Sequence, residues 1–275
     1  MAPSVTWHDP RWQQALAACG LQEYDDLIAP RDGELVWERS TTQTFRVHAD
    51  DPTSGRPASL YLKRYVYPDR RWRFLLRRDK PAIERQNYEL IREHVGPVVP
   101  EVIATGRRRR WGMLHDAFIL TAELAGCVQL DDYARSHWGA RPRPEERARQ
   151  DHLIRTTAEL VGRMHAAHFY HIDLQWRNIL VRFDTSHRGE AFFLDAPRGG
   201  RRWWCLRRRH GRLRDLSSLD KLARIYLTRT QRLRWFVHYT GRRRPDRADR
   251  RLIATVLADR ARYERAKARL MTSDE

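Results

Sequence analysis

The chain has 275 residues, 41% of them hydrophobic, enough to bury one large domain or two modest lobes, and this composition excludes a disordered chain. Its start, MAPSVTWHDPRW, lacks the apolar stretch of a secretion signal, no apolar run approaches a membrane span, and three scattered cysteines (Cys19, Cys127, Cys205) fit neither a disulfide framework nor a zinc site. The net charge of +18 rests almost wholly on arginine, with only Lys63, Lys80, Lys221 and Lys267 as lysines; it implies an anionic partner unless the arginines merely coat solvated helix faces.

These features predict a cytoplasmic protein able to touch an acidic membrane surface. Asp9-Pro10 predicts the start of a first helix and Gly20 its end, with Trp12, Leu16 and Cys19 as the apolar stripe. Leu35 to Val47 reads as a β-hairpin whose polar turn is Arg39 to Thr44 (RSTTQT). A turn from Asp50 to Pro57 leads to a strand, Ser59 to Tyr65, in which Tyr61 and Lys63 share one face and Leu60 and Leu62 the other. Asp79 to His94 has helical period through Ile83, Asn87, Leu90 and Ile91, and Gly96-Pro97 ends it. Val98 to Thr105 begins a further strand, with Arg107 to Arg110 expected in an exposed turn. Ala117 to Leu124 reads as a buried strand, and helix resumes near Leu130. After a loop from Gly139 to Pro144, a long helix is expected from Gln150 to Phe169, with His165 and His168 as core or helix-end residues.

The stretch that follows, Phe169 to Val181 (FYHIDLQWRNILV), carries the chemistry. His171, Asp173 and Asn178 have the spacing H-x-D-x-x-x-x-N of a kinase catalytic loop, and Asp195 ends the strand-like run AFFLD after a polar turn from Asp184 to Gly189. In that reading Asp173 accepts the proton of the acceptor hydroxyl, while Asn178 and Asp195 supply hard oxygens for magnesium. Lys63, on a strand beside an aromatic residue, becomes the phosphate-binding lysine. Glu84 and Glu89 can each reach it from the following helix, and Glu84 is the choice. Backbone groups of Glu123 to Ala125 then stand where a bilobal kinase binds adenine. Beyond Asp195 an arginine-rich segment runs to Arg214, and Asp215 is expected to open another helix. Trp235 to Tyr239 is an aromatic stretch, and a last amphipathic helix is expected from Asp246 to about Leu270.

With these pieces in order, the chain resembles the lipopolysaccharide kinase (Kdo and core-heptose kinase, WaaP-like) family. The resemblance rests on Tyr61 to Tyr65 (YLKRY), Glu84, Val98 to Glu101 with Gly106, the HIDLQWRN loop, LDAPRGG, and the stretch from Arg214-Asp215-Leu216 to Phe236. It implies an α+β, bilobal protein-kinase-like fold, with a small antiparallel-sheet N-lobe over residues 1–123 and a mainly helical C-lobe over 124–275. It also implies ATP as phosphoryl donor, Mg2+ as cofactor, and a sugar hydroxyl of a lipopolysaccharide precursor as acceptor, at the cytoplasmic face of the inner membrane. The chain departs from protein kinases in three places. No glycine-rich loop is present, so Ser40, Thr41 and Thr42 would cover the phosphates; Ala196-Pro197 follows the metal-binding acid; and no A-P-E segment follows. Arg198, Arg201, Arg202 and Arg207 are the expected contacts to an anionic saccharide, with Trp203 and Trp204 adding apolar surface. Nucleic acid is not expected as a partner. The rival readings are a small-molecule or protein kinase of the same fold, a nucleotide-binding pseudokinase, and an arginine-rich nucleic-acid-binding protein.

Overall fold

The computed structural model describes residues 3–67, 78–139, 143–184 and 188–272. The loop expected from Gly139 to Pro144 and the turn from Asp184 to Gly189 fall partly outside them. The chain forms two compact units, Met1–Glu89 with Pro100–Ala125, and Leu90–Val99 with Gly126–Glu275.

The first unit is built on an antiparallel sheet of six strands: β1 (Ser4–Trp7), β2 (Glu34–Arg39), β3 (Thr42–Asp50), β4 (Pro57–Val66), β5 (Val102–Arg110) and β6 (Met113–Ala122), in the order β1-β5-β6-β4-β3-β2. Because side chains alternate across a strand, register decides what each face carries. Leu62 opposes Phe45 and Leu120, and Leu60 opposes Val47. This face packs against α1 (Arg11–Ala18) and α2 (Tyr24–Ile28) through Trp12, Leu16, Tyr24 and Leu27. Burying each such side chain is worth roughly 1.5–3 kcal/mol. Lys63 therefore lies on the opposite face, across from Thr44 and Ile119.

Several local expectations change. The β2–β3 connection is a two-residue turn, Ser40-Thr41, because Arg39 already pairs with Thr42; Thr42 to Thr44 belong to β3. Arg107 to Arg110 continue β5, and the turn falls on Trp111, whose φ is +51°, and Gly112, whose φ is +76°. Cys19 lies beyond α1 and is exposed, so it takes no part in the apolar stripe.

The second unit carries the end of α3 (Lys80–His94), then β7 (Val128–Gln129), α4 (Leu130–His137), α5 (Pro144–Ala166), β8 (Phe169–Tyr170), β9 (Ile179–Phe183), β10 (Gly189–Phe193), β11 (Gly200–Arg201), α6 (Cys205–Tyr226), α7 (Arg229–Thr240) and α8 (Arg247–Thr272). The helix α6 begins ten residues before Asp215, so Asp215 sits mid-helix and fully buried rather than at a helix start. Likewise α5 starts at Pro144, with the proline at its first position, six residues before the expected Gln150, and ends at Ala166. The helices α5, α6 and α7 wall an apolar cavity of about 550 Å3, with Trp138, Trp176, Leu219, Trp235 and Phe236 among its lining residues. Among the described residues, no helix is long and apolar enough to cross a membrane.

Candidate active site

In the first unit Lys63 meets an acid. Its Nζ lies 3.3 Å from Glu84 Oε1 and 3.4 Å from Oε2. Glu84 is nearly inaccessible to water, a position a carboxylate tolerates only when paired and hydrogen-bonded. It is: Tyr65 donates to Oε2 at 2.6 Å and Tyr88 to Oε1 at 3.1 Å. Burial, and then the Glu84 charge, raise the pKa of both phenols, so they stay protonated and act as donors. Glu89 pairs instead with Arg85 on the outer side of the helix.

Neither tyrosine was singled out from the sequence, although spacing offers both: Tyr65 is two residues from Lys63 on one strand face, and Tyr88 is one helical turn from Glu84. Of the remaining residues expected here, Ser40 and Thr41 form the β2–β3 turn, whose Thr41 carbonyl accepts the Val66 N–H at 3.0 Å, and Thr42 is buried beside it. A polar hollow of about 400 Å3 at this end of the sheet is lined by Ser40, Thr42, Arg39 and Arg64. Glu123 donates its N–H to the Ser59 carbonyl at 3.0 Å, while its carboxylate takes Tyr61 at 3.2 Å and Arg46 at 3.3 Å. Ala125 closes this unit.

In the second unit the strand pair β9–β10 brings two metal-ligand candidates together. Ile179 pairs with Phe193, and the Leu194 N–H donates to the Asn178 carbonyl at 2.8 Å, so Asn178 and Asp195 flank the same end of the hairpin. Asp195, two residues past the end of β10, has φ +61°, a left-handed conformation uncommon outside glycine. Asn178 donates from Nδ2 to the Asp173 carbonyl at 2.8 Å, which leaves its amide oxygen as the acceptor end. An amide oxygen and a carboxylate suit Mg2+, which binds one or two protein oxygens together with phosphates and water. Among the described residues no group of three His, Cys, Asp or Glu forms a softer or self-sufficient metal site.

Asp173 lies on the same loop, one oxygen 2.5 Å from Gln175 Nε2, another contact unforeseen from the sequence. His171 is fully buried and donates from Nε2 to the Leu194 carbonyl at 2.8 Å, with Nδ1 lacking a partner among the described residues. It thus ties the loop to the residue before Asp195.

What holds the loop is Asp215. Its Oδ2 accepts the His171 N–H at 2.8 Å and its Oδ1 the Ile172 N–H at 2.7 Å. Ile172 has φ +69°, a costly conformation for a β-branched residue, and it persists because both amides are gripped. His165 Nε2 lies 3.1 Å from Asp215 Oδ2, and His165 Nδ1 lies 2.9 Å from the Tyr239 hydroxyl. Burial, the largest influence, raises the Tyr239 pKa, so Tyr239 donates to Nδ1 and His165 donates to Asp215. Four residues after Asp215, the Leu219 carbonyl accepts the Trp176 indole N–H at 2.9 Å, and four before it Gly211 lies against Tyr170. One stripe of α6 therefore clamps the loop. Its sequence signal is a lone acid: between Asp195 and Asp220, Asp215 is the only Asp or Glu.

The four arginines expected to meet the acceptor fall on two kinds of structure. Arg198 is exposed in the turn after Asp195, Arg201 and Arg202 follow at β11, and Arg207 lies in the first turn of α6, not in a loop.

An antiparallel sheet carrying a buried lysine–glutamate pair and a helical unit carrying this loop define a protein-kinase-like fold. A solved structure described as "WaaP in complex with acyl carrier protein" agrees with it at a TM-score of 0.68, covering 94% of this chain and 97% of that one; at 22% identity the likeness speaks for the fold. No individually curated protein matches the chain. The model of the lipopolysaccharide kinase (Kdo/WaaP) family matches residues 58–239, and the chain belongs to that family. It is accordingly a kinase, a phosphotransferase to an alcohol group.

Proposed function

We propose that this kinase transfers the terminal phosphoryl group of ATP to a sugar hydroxyl of a lipopolysaccharide core or Kdo-type acceptor. The observation that carries the reading is the hairpin end that Asn178 and Asp195 flank, joined through the Asn178 amide to the Asp173 backbone. Bound Mg2+ would supply charge neutralisation between the donor phosphates. Asn178 and Asp195 would hold it. Lys63, oriented by Glu84, would bind phosphate oxygens, and Asp173 would orient the attacking hydroxyl and take its proton. The Ser40-Thr41-Thr42 turn would cover the phosphates, and the backbone at Glu123 and Ala125 would meet the adenine. His171 acts as a positioning residue, since its Nε2 is spent on the Leu194 carbonyl. Residues 1–123 would form the N-lobe, and 124–275 the C-lobe with the catalytic loop and the metal-binding acid. Arg198, Arg201, Arg202 and Arg207 would bind the acidic groups of the acceptor, as arginine's planar fork favours.

The test is phosphate transfer from labelled ATP to purified lipopolysaccharide core, with Asp173→Ala beside the wild type. Loss of a general base lowers turnover about a hundred- to ten-thousand-fold while ATP binding survives. Unchanged turnover in that variant removes the assignment.

The acyl carrier protein of the solved relative suggests a partner as well. The largely apolar cavity among α5, α6 and α7 would favour an acyl chain by ~0.8 kcal/mol per methylene buried against its apolar side chains. In this reading acyl-loaded carrier raises the thermal midpoint of the kinase and unloaded carrier does not.

A further inference from the structure

From the end of β11 into α6 the surface carries three large apolar side chains within four residues: Trp203, Trp204 and Leu206, which are 61%, 75% and 76% exposed. Single exposed apolar residues are ordinary; a contiguous group marks a contact surface. The segment is also fixed. Gly200 and Arg201 pair with Tyr170 and Phe169, the Arg202 N–H donates to the His168 carbonyl at 2.9 Å, and Arg208 Nε donates to the Arg202 carbonyl at 3.0 Å. The backbone on either side of the tryptophans is thereby tied down, so the rings are held outward instead of folding back.

The charged residues of this segment are all arginines. Residues 196–214 contain no Asp or Glu, while Arg198, Arg207 and Arg209 are exposed and the Arg201 guanidinium lies 4.5 Å from the Trp203 ring centre. Any polyanion would suit the arginines. Leu206, which cannot stack on a base, and two adjoining indoles instead favour an apolar phase bordered by anions. A phospholipid bilayer has that profile: indole rings settle at the headgroup level, arginine stems lie along the apolar surface, and their guanidinium groups reach the phosphates.

We propose that residues 198–209 form a membrane-docking patch, in which Trp203, Trp204 and Leu206 enter the headgroup region of an anionic phospholipid bilayer and the flanking arginines hold its phosphates. The inference deepens the proposed reading, because a lipid-linked acceptor would lie at such a surface. Its test needs neither donor nor acceptor, so the two can fail separately.

The experiment is co-sedimentation of the whole chain with phosphatidylcholine vesicles, with and without phosphatidylglycerol, at low and high salt. The wild type should bind the anionic vesicles, and less at high salt. Trp203→Ser/Trp204→Ser/Leu206→Ser should lower the partition at least about tenfold at every salt concentration. Arg207→Gln/Arg209→Gln should lower it about fivefold per arginine at low salt and flatten the salt dependence. Trp111→Ser, which removes a lone exposed tryptophan, should stay within about twofold of the wild type. All of these side chains are exposed, so thermal midpoints should not fall; if the triple variant fails to fold, Trp204→Ser alone decides, with an expected loss of about threefold or more. Wild-type partition by the triple variant overturns the proposal, as does a wild type that ignores anionic vesicles. So does binding of the wild type to single-stranded DNA or acyl carrier protein that the triple variant loses while its vesicle binding persists.

Discussion

Lys63 and Glu84 divide two tasks that substitution can separate. Glu84 Oε1 and Oε2 each receive a tyrosine hydroxyl as well as the lysine, so removing the carboxylate charge strands three donors in a buried place. Glu84→Gln should therefore cost stability, on the order of 2 kcal/mol by differential scanning calorimetry, and weaken donor binding as well. Lys63→Met leaves Glu84 its two tyrosines. It should raise the KM for ATP at least about tenfold with a smaller loss of midpoint. A Lys63→Met enzyme with wild-type ATP affinity would exclude Lys63 from the phosphates. Tyr65→Phe is the control: the ring stays, the 2.6 Å hydrogen bond goes, and the ion pair should loosen without breaking.

Two predictions belong to the elements. Along α6 the residues facing the segment from Tyr170 to Trp176 are Gly211, Asp215 and Leu219, spaced by four. A Cβ at Gly211 would lie 2.5 Å from Tyr170 Cγ, so Gly211→Ala must push the helix off the strand that leads into His171. Overpacking of this kind costs about 1–3 kcal/mol, and because Asp215 rides on the same stripe, kcat should fall with the thermal midpoint. A variant that loses stability yet keeps full turnover would show that the clamp does not govern the loop. In the sheet, Asp116 joins β6 to β5 and α2 by accepting from Arg108 at 2.6 Å, Tyr24 at 2.5 Å and His115 at 2.8 Å. Burial pushes its pKa up, but these hydrogen bonds outweigh burial and hold it below the ordinary 3.8. A folded value beneath the unfolded one means that the stabilisation is complete above about pH 4 and fades as pH falls through the folded value. Asp116→Asn should cost on the order of 3 kcal/mol at neutral pH and make acid unfolding less steep below pH 4.

These elements also show what could be read in advance. Strands β4 and β6, helix α3 and the H-x-D-x-x-x-x-N loop announce themselves through period and spacing, which local chemistry sets. The first turns of α6 do not. Their arginine run has no apolar stripe, because α6 from Cys205 to Gly211 covers little of the core, and Asp215 looks like a helix start when its acceptors are in use on backbone amides more than forty residues away. Strand β1 and helix α2 are too short for a period to emerge; tertiary partners, Arg107 to Ala104 for β1 and Asp116 for Tyr24, decide them.

At the scale of the whole molecule the governing quantity is charge. A surplus of +18 repels itself, and with 53 basic against 35 acidic residues, ion pairing cannot absorb it. Added salt should act in two opposite ways. It screens the repulsion, over a Debye length of about 10 Å at 0.1 M, and should raise the thermal midpoint. It also screens attraction to an acidic acceptor and should raise that acceptor's KM. If Arg201, Arg202 and Arg207 carry the second effect, replacing all three with glutamine should raise the acceptor KM at low salt and flatten its dependence on salt, with the KM for ATP nearly unchanged. The same replacement removes three of the surplus charges, so the midpoint should rise slightly. Steady-state kinetics at several salt concentrations, with an acidic and a neutral sugar acceptor, separates local recognition from the general field. Recognition by these arginines requires the acidic acceptor alone to suffer. If both acceptors change together, the field of the whole surplus is at work, and the three side chains lose their assigned role.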